Sequence, residues 1–234
     1  MEVGNMSENR TFNKIASQAA KNSLENLLKS TGNTSAYRAN MIKLGELLGS
    51  QVVEYLSNHV SKDTLIISTA EDADFLQHGV STALRLARIR TKIAVFWNNH
   101  YSTLGTSVAP IVHSFIEKDY DKVSNIVIVK SVISGSCVVK TNLLELLDTL
   151  KTVNSIYIVS PVIHKNSERS LKKEFPEEIS NKFVFVYFAC DSEKNSTGEV
   201  IPGIGGQVYE LLGISKQPVL TGYTPKVVEE MAFS

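Results

Sequence analysis

The sequence predicts an α/β fold built on a parallel sheet, and three observations predict it. From residue 64 onward, short β-branched apolar runs alternate with segments of helical periodicity, the pattern of strands joined by crossover helices. The strand runs are continuously apolar rather than alternating, as for strands covered on both faces. A strand, a small polar turn and a helix follow one another without interruption in Asn125–Leu150, the unit from which such sheets are assembled.

Taken in order, Met1–Glu8 is polar and predicts a loose tail. Phe12, Ile15, Ala16, Ala19, Leu24, Leu27 and Leu28 predict an amphipathic helix. Its apolar face can pack on the sheet or on a second chain, and the spacing does not choose between them. Thr31-Gly-Asn-Thr-Ser35 is a break, with Thr34 or Ser35 as cap of a second helix whose apolar face is Tyr37, Met41, Leu44, Leu47, Leu48, Val52, Tyr55 and Leu56. Strands are then predicted at Thr64–Ser68, Lys92–Trp97, Asn125–Lys130, Ser155–Ser160 and Lys182–Phe188. Helices are predicted at Asp72–Arg88, Val138–Lys151, Asn166–Glu174 and Gln207–Leu212. Asn98–Thr103 reads as a polar loop, Ala109–Glu117 fits neither period, and Ile201-Pro-Gly-Ile-Gly-Gly206 is a glycine-rich turn. This divides the chain into a tail and helix (1–30), an α/β domain (31–214) and a C-terminal tail (215–234), which ends on one more possible helical turn.

Lys plus Arg and Asp plus Glu both number 24, so the chain carries no net charge to hold nucleic acid or an anionic membrane surface. No run reaches the roughly 18 apolar residues of a membrane span. The N-terminus lacks the basic-then-apolar plan of an export signal, and the expectation is a cytoplasmic protein. Cys137 and Cys190 have apolar neighbours and no metal spacing, which predicts two packed free thiols. Asn5, Asn33 and Asn195 open glycosylation-like triplets that are background in such a protein.

Ligands of parallel sheets bind beyond the carboxyl ends of the strands. That places Thr69–Asp74, Asn98–Thr103, Ser131–Cys137, Pro161–His164 and Asp191 on one rim. The turn Ser134-Gly135-Ser136 before a helix is a candidate phosphate cradle, because the first N–H groups of a helix have no partner within it. Gly203 and Gly205 allow a backbone to approach a planar ring. His100, beside Tyr101, is a candidate acid or base, against the plainer reading of a solvated loop histidine. His59, His78, His113 and His164 share no ligand spacing, and no metal ligands are assigned. Arg85, Arg88, Arg90 and Lys92 sit where cations complement a helix C-terminus.

Three stretches together resemble the uracil phosphoribosyltransferase family over residues 31–214. They are Thr31-Gly-Asn-Thr-Ser-Ala-Tyr-Arg38 with Leu44-Gly-Glu-Leu-Leu48; Ile128-Val-Lys-Ser-Val-Ile-Ser-Gly-Ser-Cys137; and Val200-Ile-Pro-Gly-Ile-Gly205 with Tyr209-Glu-Leu-Leu-Gly213. The resemblance implies a type I phosphoribosyltransferase-like fold with N-terminal helices, and a homodimer or higher oligomer. It implies a small-molecule ligand, either a nucleobase, a nucleotide or phosphoribosyl pyrophosphate, and magnesium if the transfer reaction is retained. It assigns phosphate binding to Lys130, Ser131, Ser134, Gly135, Ser136 and Cys137, and base binding to Ile201, Gly203, Ile204 and Gly205. Thr69, Asn98, His100 and Asp191 are rim candidates.

The sequence departs from the family's pattern at charged positions. The acidic residue heading the phosphoribosyl loop is Lys130 here. Two arginines that face pyrophosphate align near Thr69 and Asn98, and the aspartate after the Pro-Gly-x-Gly is Gly206. Cations aimed at a departing diphosphate are what stabilise its release, so these losses argue against UMP-forming activity. A divergent nucleotide-binding relative is the leading expectation. The alternatives are an active transferase of altered substrate and a non-catalytic scaffold or regulatory subunit.

Overall fold

The computed structural model describes residues 9–103, 106–150 and 152–232. The chain opens with β1 (Arg10–Phe12), α1 (Gln18–Lys29) and α2 (Thr34–Leu56). β2 (Thr64–Thr69) enters a short turn of helix, α3 (Ala70–Asp72), then a π-helical turn (Ala73–Gln77) and α4 (His78–Leu86). β3 (Thr91–Asn98) leads to the hairpin of β4 (Tyr101–Thr103) and β5 (Thr106–Val108), and then to β6 (Ile111–Ile116). β7 (Asn125–Val129), β8 (Val132–Ile133) and α5 (Cys137–Leu147) follow, then β9 (Ser155–His164), α6 (Ser167–Lys172) and α7 (Glu177–Ser180). The chain closes through β10 (Phe183–Asp191), the hairpin of β11 (Glu193–Lys194) and β12 (Val200–Ile201), α8 (Val208–Leu211), α9 (Pro218–Thr221) and α10 (Lys226–Ala232).

The main sheet runs β1-β10-β9-β7-β2-β3-β6, with β8 paired to the far half of β9. The five central strands are parallel, and β1 and β6 are antiparallel edges. The mainly parallel α/β class expected from the sequence is therefore present. Successive β2 residues face opposite layers. Ile66 packs with α1, α2 and α4, while Leu65 and Ile67 pack with α5 and α6. Both faces are covered, which is why the strands read as unbroken apolar runs. The chain leaves β2 toward β3 on one side, and β7 lies on the other. Strand order therefore reverses at β2, opening a crevice between the carboxyl ends of β2 and β7.

Helices α2 and α4 meet at backbone distance. A Cβ on Gly79 would lie 2.1 Å from the Ile42 carbonyl oxygen, and one on Gly45 would lie 2.2 Å from that of Leu76. This close seat fixes the helical stretch immediately after β2, and with it the first rim loop.

Several expectations change. The N-terminal segment contains a strand: β1 pairs with β10 along Arg10↔Asp191 to Phe12↔Ala189. Residues 1–8 lie outside the described part. The apolar face of α1 is covered within the chain, where Ala20, Leu24 and Leu27 are buried in the α2 layer. Asn33, not Thr34 or Ser35, caps α2 by accepting from the Ala36 N–H. The helix expected from Asp72 is broken by the π turn. The ambiguous Ala109–Glu117 holds edge strand β6, and the loop after Asn98 carries β4. Among the described residues, no helix is long and apolar enough to cross a membrane.

Candidate functional site at the strand-order reversal

The floor of the crevice is an ion cluster. Glu71 and Asp72 stand in the turn after β2, and Lys130 is the first residue after β7. The parallel register Ser68↔Val129 brings the two strand ends together. Lys130 Nζ donates to Glu71 Oε1 at 3.0 Å and to Asp72 Oδ2 at 2.8 Å. Asp72 Oδ2 also accepts from Thr69 Oγ1 at 3.0 Å and from the Ser131 N–H at 3.2 Å. The side chains of Lys130, Glu71 and Asp72 are 12%, 7% and 0% exposed, so these charges interact largely out of water. Burial opposes the Lys130 ammonium, but Asp72 and Glu71 outweigh it and hold the group protonated above its ordinary range. Two carboxylates against one ammonium leave one excess negative charge. Among the described residues, Asp72 Oδ1 and Ser131 Oγ are buried and have no hydrogen-bond partner.

Polar rings surround this floor. Tyr37, on α2, is buried beside Asp72 and donates its hydroxyl to the Ile204 carbonyl at 2.9 Å. Burial, with Glu71 and Asp72, holds the Tyr209 hydroxyl in its neutral form against the pull of Lys130. His100 is held by its backbone, with its N–H on Gln217 Oε1 at 2.7 Å and its carbonyl accepting from Gln217 Nε2 at 2.8 Å. Its ring meets Ser107 Oγ at 2.7 Å. Crowding by protein atoms and the Lys130 charge lower its pKa, partly opposed by Glu71.

The predicted phosphate loop rises from Lys130 with β8 inserted in it. The carbonyl of Ser134 accepts from Lys194 Nζ at 2.6 Å. Gly135 is exposed, with no heavy atom within 4 Å of a Cβ placed there. Ser136 precedes α5 without capping it through its side chain, so the first N–H groups of that helix keep no side-chain acceptor. Ser136 Oγ instead donates to Glu174 Oε1 at 3.2 Å, and Lys140 Nζ donates to Glu174 Oε2 at 2.5 Å. The α5 end therefore has a carboxylate of the chain beside it and two lysines flanking it. Cys137 is half-buried at the first turn, where burial raises its thiol pKa despite Lys140; burial does the same for Cys190.

The glycine-rich turn is fixed from outside the rim. Gly203, at φ +54°, donates its N–H to Asp191 Oδ2 at 2.8 Å. Arg10 donates to both Asp191 oxygens at 2.7 Å and to the Gly203 carbonyl at 2.6 Å. The Ile201–Pro202 bond is cis, and Gly205 has φ +94°.

The structure thus gathers Thr69, Lys130 and Ser131 at the floor, with His100 close enough to feel Lys130, and brings Ile204 to it through Tyr37. Ser134, Gly135, Ser136 and Cys137 lie above, on the open loop. Two rim candidates point elsewhere. Asn98 is a buried amide exchanging hydrogen bonds with Asn142 and donating to the Ala109 carbonyl, which ties β3 to α5. Asp191 is wholly buried under Arg10. Sequence reasoning singled out neither Tyr37, Tyr209 and Arg10 nor the pairing of Lys130 with Glu71 and Asp72. The one available signal was the acidic pair in Ser68-Thr-Ala-Glu-Asp72, directly behind a buried strand.

No protein-family model matches the chain, and no curated protein does. Among solved structures it is similar to the adenine phosphoribosyl transferase from Trypanosoma brucei in complex with AMP, pyrophosphate and ribose-5-phosphate. The TM-score is 0.49 at 10% identity, over 85% of this chain and 88% of that one. It is similar to the L. donovani hypoxanthine-guanine phosphoribosyl transferase, with a TM-score of 0.44 at 9% identity over 66% of this chain and 92% of that one. A hypothetical protein from Neisseria gonorrhoeae with bound ppGpp gives 0.41 at 11% identity over 74% of this chain and 94% of that one.

Proposed function

We propose that the chain is a divergent phosphoribosyltransferase-like protein, of the uracil-enzyme kind, that binds a nucleotide or another phosphate-bearing ligand and does not form UMP. Three features support binding. The crevice lies at the strand-order reversal, where ligands of parallel sheets sit. The α5 N-terminus has no side-chain cap and is flanked by Lys194 and by Lys140, the latter paired with Glu174. The turn at Gly203–Gly205 adjoins the floor through Tyr37.

The observation that carries the loss of transfer is the buried cluster of Lys130, Glu71 and Asp72. A departing diphosphate needs cations where its charge develops. Among the described residues, the cation at the floor, Lys130, is already held by two carboxylates, and the excess charge is negative. A unit of unfavourable charge near 4 Å costs about 4 kcal/mol at an effective dielectric of ~20, roughly three powers of ten in rate.

Purified protein incubated with uracil, phosphoribosyl pyrophosphate and magnesium tests this, with UMP followed over time. No turnover above background is expected, together with a rise in Tm on adding UMP or GMP. UMP formation at ordinary enzyme rates would sink the loss of transfer, and indifference to every nucleotide would sink the binding. The resemblance also implies assembly into a dimer or higher oligomer, which light scattering on the purified protein checks.

A further inference from the structure

We propose that Lys130 is the resident cation of this site. Its ammonium takes the place between two carboxylates that magnesium would need, so the protein needs no metal to hold its floor together. The proposal rests on the preceding reading only for the location of the ligand.

A magnesium ion demands six oxygens in near-octahedral array at about 2.0–2.1 Å. The residues at the floor do not fit that demand. Glu71 Oε1 and Asp72 Oδ2 converge on Lys130 Nζ at 3.0 and 2.8 Å, the spacing of charge-assisted hydrogen bonds. Asp72 Oδ2 takes three donors, from Thr69, Lys130 and Ser131, and has no lone pair left to give. Lys130 directly follows a buried strand, and removing its ammonium leaves two carboxylates, 7% and 0% exposed, without their counter-charge. Among the described residues, no group of three or more His, Cys, Asp or Glu is placed to hold a metal.

Taking the ammonium away changes this. Glu71 and Asp72 then carry two uncompensated charges, which a divalent ion balances. Asp72 Oδ1, and Ser131 Oγ on the residue next to Lys130, are buried and without partners among the described residues. A small alkylammonium carries the same charge and hydrogen-bond donors as the ammonium removed. The chemistry of the floor is thus that of a cation site whose occupant is covalently part of the chain.

Thermal unfolding without any nucleotide tests this. Wild type, Lys130→Arg and Lys130→Ala are each measured with chelator, with millimolar magnesium and with ethylammonium. Wild type and Lys130→Arg should hold the same Tm in all three. Lys130→Ala should melt lower in chelator and regain about 3–5 °C with magnesium or ethylammonium. If the alanine variant does not fold in chelator, its recovery of a cooperative transition in either cation reads the same property. A wild type stabilised by magnesium and weakened by chelator overturns the proposal. So does an alanine variant that neither cation stabilises or refolds. Failure of nucleotide binding would sink the proposed function and leave this result untouched, because no nucleotide is present.

Discussion

Two buried ionic networks lie at the carboxyl ends of the strands, and they are built differently. In the first, Arg10 faces Asp191 as a fork, and Gly203 adds its N–H to Asp191 and its carbonyl to Arg10. Charge balances one to one. In the second, Lys130 faces both Glu71 and Asp72, a charge is left over, and Asp72 Oδ1 and Ser131 Oγ are unpartnered. Desolvated charges are tolerated when every lone pair and proton is used, and each exception calls for a reason. The complete network therefore does architectural work, holding the sheet edge to the glycine-rich turn. The incomplete one sits where this class of sheet places its ligand.

The sharpest way to break this contrast is to unbalance the balanced network. Asp191→Ala strands a guanidinium that is 6% exposed, and should cost about 3–5 kcal/mol in urea unfolding. A loss below about 1 kcal/mol would mean that Arg10 relaxes into solvent and the contrast fails. Gly203→Ala attacks the same network through the backbone. At φ +54° its Cβ would lie 2.3 Å from the Val200 carbonyl oxygen, so about 1–3 kcal/mol should be lost. Glu71→Gln is the opposite test. It removes the surplus charge while Asp72 keeps Lys130 paired, so stability should stay within about 1 kcal/mol while inorganic phosphate binds more tightly in calorimetry. A loss as large as that of Asp191→Ala would show that both networks are architectural.

Titration separates them more finely. Lys130 has a pKa raised above its usual 10.5, so its stabilisation is complete below that pH and fades as pH rises beyond it. Lys130→Arg should flatten that alkaline decline. The smallest effect belongs to His100, whose pKa lies below 6.5. The unfolded chain takes up this proton first, so stability declines as pH falls through 6.5. In His100→Gln that acid slope should be slightly shallower.

How much of this the sequence disclosed depends on how local each signal was. The five parallel strands were legible because burial on both faces writes Thr64–Ser68 and Asn125–Lys130 as continuous apolar runs. β6, Ile-Val-His-Ser-Phe-Ile, is a partly exposed edge whose mixed pattern matches no period. β1 has three residues and exists only because β10 offers it an edge. At the site, the phosphate loop was legible as a strand, turn and helix in one contiguous stretch. The partners of Lys130 were not, because Glu71 and Asp72 lie 59 and 58 residues away and meet it only through the β2–β7 register. Asn98 and Asp191 were placed on the correct strand ends, but their partners, Asn142 and Arg10, turn both side chains inward.

The Arg10 contact has a consequence for how the molecule can be built and handled. Its acceptors lie 181 and 193 residues further along the chain, so on the ribosome the arginine emerges long before anything exists for it to hold. The glycine-rich turn can be locked only after the 193 residues that separate it from Arg10 have been made, by a segment synthesised long before it. A cut beside Arg10 would thus be felt first 193 residues away, in Gly203 and its neighbours, while the parallel strands between them stay intact.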